Sequence, residues 1–118
     1  MNFTRETTGD VLIEKVNITR ATVTEAEELK DILLKDIENG WRKIVIDLTN
    51  NSFIDSTFLG SIVIGLKTIS KLGGDLRISG AHGDVKSILE ITGSSRVLIS
   101  FDSLEQAVSS FQDKKVKI

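Results

Sequence analysis

The sequence predicts an α/β domain, a mixed and largely parallel β-sheet with packed helices, in the order ββαβαβαβα. Three observations carry that prediction. Short β-branched runs, "KIVIDL", "DLRIS" and "VLISF", recur along the chain. Segments of helical period lie between and after them, long enough to serve as crossovers between parallel strands. An opening pair of strands around a Gly-Asp turn makes the sheet mixed.

Each element has its own justification. Residues 2–16 read as two strands joined near Thr8-Gly9-Asp10. In the second strand Val11 and Ile13 face one way, and Leu12, Glu14 and Val16 the other. "TRATVTEAEELKDILLKDIENGW" reads as a helix. Thr22 with Glu25, or Thr24 with Glu27, has the spacing of a capping box. Ala26, Leu29, Leu33 and Ile37 form its apolar stripe, with Ile32 beside it, and Asn39-Gly40 ends it. Lys43 to Leu48 is nearly continuous in apolar residues, which suits a strand buried on both faces. Asn50-Asn51-Ser52 interrupts the chain, and a helix runs from Thr57 to about Lys71. Leu59, Ile62, Val63, Leu66 and Ile69 share one of its faces, and Gly73-Gly74 closes it. "DLRISG" is a strand with Leu76 and Ile78 inward. "GDVKSILEITG" is a short helix that stops at Gly93. "VLISF" is the final strand. "DSLEQAVSSF" opens on an N-cap, Asp102 or Ser103, with Glu105 or Gln106 three residues on, and makes the last helix.

Composition narrows the function. A chain of 118 residues fits one domain, residues 1–118, with one main core. A formal net charge of −2 gives no broad attraction to nucleic acid, so direct nucleic-acid binding is not expected. The basic ending "DKKVKI" reads as a solvated end. The absence of cysteine excludes a disulfide framework, a thiolate metal site and a cysteine nucleophile. No apolar run approaches the roughly 18 residues of a membrane span, and the N-terminus lacks the apolar core of a signal peptide. A cytoplasmic protein without membrane insertion is the expectation.

The segment "SFIDSTFLGSIVIG", Ser52 to Gly65, passes from strand to helix through Asp55-Ser56-Thr57. All three are preferred N-cap residues, and a cap needs only one. The alternative is that one hydroxyl is a switch. Functional loops of a parallel α/β sheet sit at the strand C-termini. A helix N-terminus there favours an anion through its free N–H groups and dipole. A phosphate on Ser56 would bring about −2 charge to that setting, close to Asp55. At about 100° per residue, the stripe of the following helix centres on Leu59 and Leu66. Thr57, Gly60, Ser61, Ile64 and Thr68 fall opposite. Gly60 bares backbone and Ile64 is apolar where water is expected. That face reads either as a docking surface or as a solvated face with a lone isoleucine.

"KIVIDLTNNSFIDSTFLGSIVIGLKTISKLGGDLRISG" resembles the core of STAS domains, specifically the bacterial anti-sigma factor antagonists. The family's Asp-Ser-Ser/Thr-Gly-Leu-Gly segment is matched by Asp55-Ser56-Thr57-Phe58-Leu59-Gly60. "VKSILEITGSSRVLISFDSLEQAV" resembles the family's third helix, next strand and terminal helix. The resemblance covers roughly residues 8–112. It implies a STAS-like fold and a partner-switching role in transcription regulation. The antagonist binds an anti-sigma factor that is itself a serine kinase of the histidine-kinase-like ATPase class, and this frees the sigma factor. The kinase phosphorylates the serine that maps to Ser56, the complex dissociates, and a metal-dependent serine phosphatase resets the switch. Asp55, Ser56, Thr57, Gly60, Ser61 and Ile64 are then the partner-binding set, in a monomer or weak dimer with no cofactor. The alternative is a STAS scaffold in a stress-signalling complex, or a regulatory subunit of a lipid transporter. Two positions depart from the family. Phe58 replaces a Gly, and either packs at the edge of the core or alters partner specificity. Arg20 in "NITRAT" stands near the place where the family often carries an Asp.

Enzymatic readings find little material. The only histidine, His82, lies in "GAHG", which reads as the turn into the next helix. One His without Cys is poor material for a triad or a metal site. Asp47 and Asp55 can be imagined as paired carboxylates. Asp47 is more simply a strand-end residue that helps orient the Ser56 loop. "SKLGGDLRISGAHGD" is glycine-rich but matches neither a P-loop nor a dinucleotide fingerprint. The protein is therefore not expected to be an enzyme.

Overall fold

Gly9, at a φ of 60°, lets strand β1 (Phe3–Thr8) turn back as β2 (Val11–Val16). The pair is antiparallel, with Thr8 opposite Val11 and Phe3 opposite Val16. The other strands of the main sheet run parallel to β2: β4 (Lys43–Asp47), β6 (Asp75–Ser79) and β7 (Ser100–Phe101), in the order β1-β2-β4-β6-β7. Helices α1 (Val23–Glu38), α2 (Ser56–Ser70) and α3 (Gly83–Ile91) lie in the crossovers, and α4 (Leu104–Phe111) follows the last strand. This computed structural model describes residues 1–112. The basic ending from Asp113 to Ile118 lies outside the described residues. The expected mixed, largely parallel α/β architecture is the one observed.

Period-two alternation sorts the sheet into two cores. Leu12, Val16, Ile44, Ile46, Leu76 and Ile78 face α1 and α2 in the main core. Val11, Ile13 and Val45 face the other way and meet Ala107 of α4. Strand β4 is thus apolar on both faces because both faces are covered, and Ile44, Val45 and Ile46 have no exposed surface. Leu29 and Leu33 of α1 are also fully buried, each contributing about 2 kcal/mol of hydrophobic stabilisation. The two long helices approach closely at Gly65, where a Cβ would stand 2.8 Å from Leu33 Cδ1.

Local signals resolve as hydrogen bonds. The capping box of α1 is Thr22 with Glu25, whose Oε1 accepts the Thr22 N–H at 2.9 Å. Asn39 caps the other end and Gly40 follows at φ 105°. Helix α4 is capped by Ser103, which exchanges hydrogen bonds of 3.1 and 3.2 Å with Gln106.

Three expectations need correction. "VLISF" supplies only the two-residue strand Ser100–Phe101. The N–H groups of Val97 and Leu98 are already bound to Ser94 O, at 3.0 and 2.8 Å, in a 3-10 turn over Ser94–Arg96. Arg20 and Ala21 do not join the first helix. They form β3 (Arg20–Ala21), which pairs in parallel with β5 (Phe53–Ile54) as a separate small sheet. Phe58 lies fully within the core rather than at its edge.

Candidate functional site

The small β3–β5 sheet is the platform for the Asp55-Ser56 junction. Thr19 O accepts the N–H groups of Ser52 and Phe53 at 2.8 and 3.2 Å, and Ala21 O accepts the Asp55 N–H at 3.1 Å. Asn51, fully buried, donates its side-chain amide to Ile18 O. The chain leaving β2 and the chain leaving β4 are therefore stitched together just ahead of Asp55. Arg20 lies over the Phe53 ring at 4.2 Å, so the departure from the family at that position is a cation–π contact on the platform.

Asp55 is the N-cap of α2. Its Oδ1 accepts the Phe58 N–H at 2.8 Å, and its Oδ2 accepts the Val23 N–H of α1 at 3.1 Å. Each oxygen thus holds a backbone N–H at the start of a different helix. Ser56 is the first residue of the helix and is exposed, as is Thr57. First-turn N–H groups have no carbonyl partner within their own helix. The Ser56 hydroxyl therefore stands at a positive helix end, open to solvent.

The face of α2 beyond Ser56 matches the expectation at Gly60 and Ile64. A Cβ on Gly60 would meet nothing within 4 Å, and Ile64 is 43% exposed. Ser61 does not match. It is buried, and its hydroxyl donates to Ala26 O of α1 at 2.7 Å. Helix α1 covers the flank of α2 on which Ser61 lies, so this residue binds the neighbouring helix and is removed from the exposed face. Val23, an apolar residue 63% exposed at the head of α1, is brought to the site by Asp55. Its signal in the sequence is an apolar residue directly after the Thr22 cap, where polar residues are favoured.

Other candidates belong elsewhere. Asp47 Oδ1 accepts from Thr49 N–H at 3.1 Å, Thr49 Oγ1 at 2.6 Å and Ser79 Oγ at 3.1 Å. It orders its own turn, not the Ser56 loop, and shares no hydrogen-bond partner with Asp55. His82 is the N-cap residue of α3, with Nε2 3.0 Å from Thr49 O, consistent with a turn role. Among the described residues no group of three or more His, Cys, Asp and Glu is placed to hold a metal ion.

Residues 6–107 match the family model for the STAS domain. The anti-sigma-B factor antagonist of Staphylococcus aureus is 33% identical over 94 residues, 79% of this chain and 87% of that protein. The crystal structure of the tm1081 protein of Thermotoga maritima gives a TM-score of 0.88 at 27% identity, over 94% of this chain and 95% of that one. The unphosphorylated form of the Bacillus anti-sigma factor antagonist SpoIIAA gives 0.76 at 14% identity, over 95% and 99%, a likeness of fold alone. The family match spans nearly the whole described chain, so this protein belongs to the STAS domain family, alongside relatives named anti-sigma factor antagonists.

Proposed function

We propose that the protein is an anti-sigma factor antagonist. It binds an anti-sigma factor that is a serine kinase, frees the sigma factor, and is released when Ser56 is phosphorylated. The observation that carries this reading is the position of Ser56: an exposed hydroxyl on the first residue of α2, directly after the capping Asp55 and on the same helix as Thr57, Gly60 and Ile64. The name of the Staphylococcus aureus relative supports it. The kinase transfers the γ-phosphoryl group of ATP to Ser56 Oγ. The Oγ–P bond forms, the bond to the ADP oxygen breaks, and the hydroxyl proton passes to a base on the kinase. A serine phosphatase reverses the state by adding water and releasing inorganic phosphate.

The physical basis of release is charge at a contact surface. Phosphate brings about −2 charge, and burying it against a partner without a counter-ion costs several kcal/mol. Each 1.4 kcal/mol is tenfold in affinity. The fold tolerates the same charge because it sits at a helix N-terminus. On this reading the protein is a regulatory binding protein of the cytoplasm rather than an enzyme. No helix among the described residues is long and apolar enough to cross a membrane.

The test captures the ATPase that binds the protein in extract of its own cells and incubates the pair with Mg-ATP. Mass spectrometry then locates the phosphate, expected on Ser56. Modification of Thr57 instead, or a bound ATPase that never modifies Ser56, overturns the reading.

A further inference from the structure

Asp55 holds two helix N-termini at once. Its Oδ1 serves the Phe58 N–H of α2 at 2.8 Å and its Oδ2 the Val23 N–H of α1 at 3.1 Å, across 32 residues of sequence. The tie to Val23 is separate from the capping box of α1, in which Glu25 accepts the Thr22 N–H. It is also exposed to water. The Val23 N–H can therefore be freed without dissolving the first turn of α1, because the helix's own cap stays in place.

We propose that this carboxylate is a clasp between the two helices, and that a phosphate on Ser56 opens it. The proposal rests on the Ser56 reading above and adds how the modification is felt away from the modified residue. Ser56 directly follows Asp55, so the phosphate arrives at the same helix end that the carboxylate caps. Two anions then compete for one set of first-turn N–H donors, carrying about −2 and −1 charge. The more highly charged group takes the donors, and mutual repulsion turns the carboxylate away. Asp55 cannot leave Phe58 and keep its present geometry on Val23, because one planar group makes both bonds. The Val23 N–H then turns to water. The exposed Val23 side chain loses its fixed position at the head of α1. A partner thus meets a changed shape at the head of α1 as well as a new charge at the head of α2. Asp55 is in this account a positioning residue, acting on the partner through α1.

The experiment is amide NMR on the full chain carrying phosphoserine at position 56, incorporated during synthesis so that no kinase is needed. The Val23 N–H resonance is expected to move more than that of Thr24. Its exchange with solvent is expected to rise about tenfold, the factor for one hydrogen bond to a charged group. The Glu25 and Ala26 amides, bonded to Thr22 O, are expected to stay protected. A second variant, Asp55→Ser, keeps a cap for Phe58 but is too short to hold Val23 as well. It is expected to speed Val23 exchange to a similar degree without phosphate, with α2 intact. Unchanged Val23 exchange in either protein overturns the clasp. A kinase that ignores Ser56 would sink the proposed function instead, and leaves this measurement standing.

Discussion

Two aspartates, Asp55 at one end of the sheet and Asp36 beneath its edge, place negative charge in the same small domain by different means. Asp55 is half-buried and both of its oxygens receive backbone N–H groups from helix starts. Asp36 has no exposed surface and lies beside Glu14, 2% exposed. Both of these depend on one guanidinium, Arg5 on edge strand β1, whose Nη2 reaches Glu14 Oε2 at 3.3 Å and also Asp36 Oδ1. The second oxygen of Asp36 is buried without a hydrogen-bond partner among the described residues. Burial pushes the Glu14 carboxyl above its ordinary value, against the opposing pull of Arg5. Helix dipoles near water can accept a further anion without loss of the fold. Buried carboxylates sharing one cation cannot lose that cation cheaply. The first region is suited to switching and the second to holding β1 against α1.

The sharpest way to break this contrast is Arg5→Ala. It leaves two buried carboxylates without their cation and is expected to cost about 3 kcal/mol, read as a lower urea midpoint at neutral pH. The value is placed at the low end because Arg5 itself is half-exposed. Binding to the proposed partner, at the head of α2, should be unaffected under conditions where the variant is folded. A loss below about 0.5 kcal/mol, the level of an ordinary surface substitution, would show that the cluster does not anchor the edge strand.

The converse variants are Ser56→Asp and Ile64→Glu. Both keep the melting temperature within a few degrees, since one adds a favoured charge at a helix start and the other changes an exposed position. Each is expected to lose at least about tenfold in affinity for the kinase by titration calorimetry, equivalent to about 1.4 kcal/mol. Wild-type affinity in both, with the folds intact, would show that α2 beyond Ser56 is not the docking face.

The smallest effect is a pH dependence of stability. The Glu14 carboxyl is raised in the fold, so the native state holds its proton after the unfolded chain has released it near 4.5. Stability from this group is therefore fully present at pH below 4.5. It falls as pH rises from 4.5 towards the raised native value. Glu14→Gln cannot titrate and removes that decline. The difference between wild type and variant, followed by urea unfolding from pH 4 upward, should shift in favour of the variant. A difference that does not vary with pH would mean that Glu14 titrates alike in both states.

Local chemistry was legible in the sequence wherever a signal and its consequence lie within a few residues. The turn at Gly9, a capping box at Thr22–Glu25 or Thr24–Glu27, the stop at Asn39-Gly40 and the placement of Ser56 at the head of a helix all follow from short spacings and backbone preferences, and the structure selects Thr22–Glu25. So does the two-sided burial of Ile44 to Ile46, because a continuous apolar run leaves neither face suited to water. Side-chain surroundings were not legible in the same way. The stripe centred on Leu59 and Leu66 put Ser61 opposite the core, yet α2 packs against α1 as well as the sheet, so its buried arc is wider than its apolar stripe. A small hydroxyl that can bond to Ala26 O is then what fits. Glu14, Asp36 and Arg5 read as ordinary charges until antiparallel register sets Arg5 opposite Glu14 and α1 lays Asp36 beside them. Val23 and Asp55 meet for the same reason, across a stretch of chain that carries no trace of the contact. Helix period and capping depend on neighbours along the chain, which a sequence displays. Which flank of a helix is covered, and which charges share a cation, depend on neighbours in space, which arise only when the elements pack.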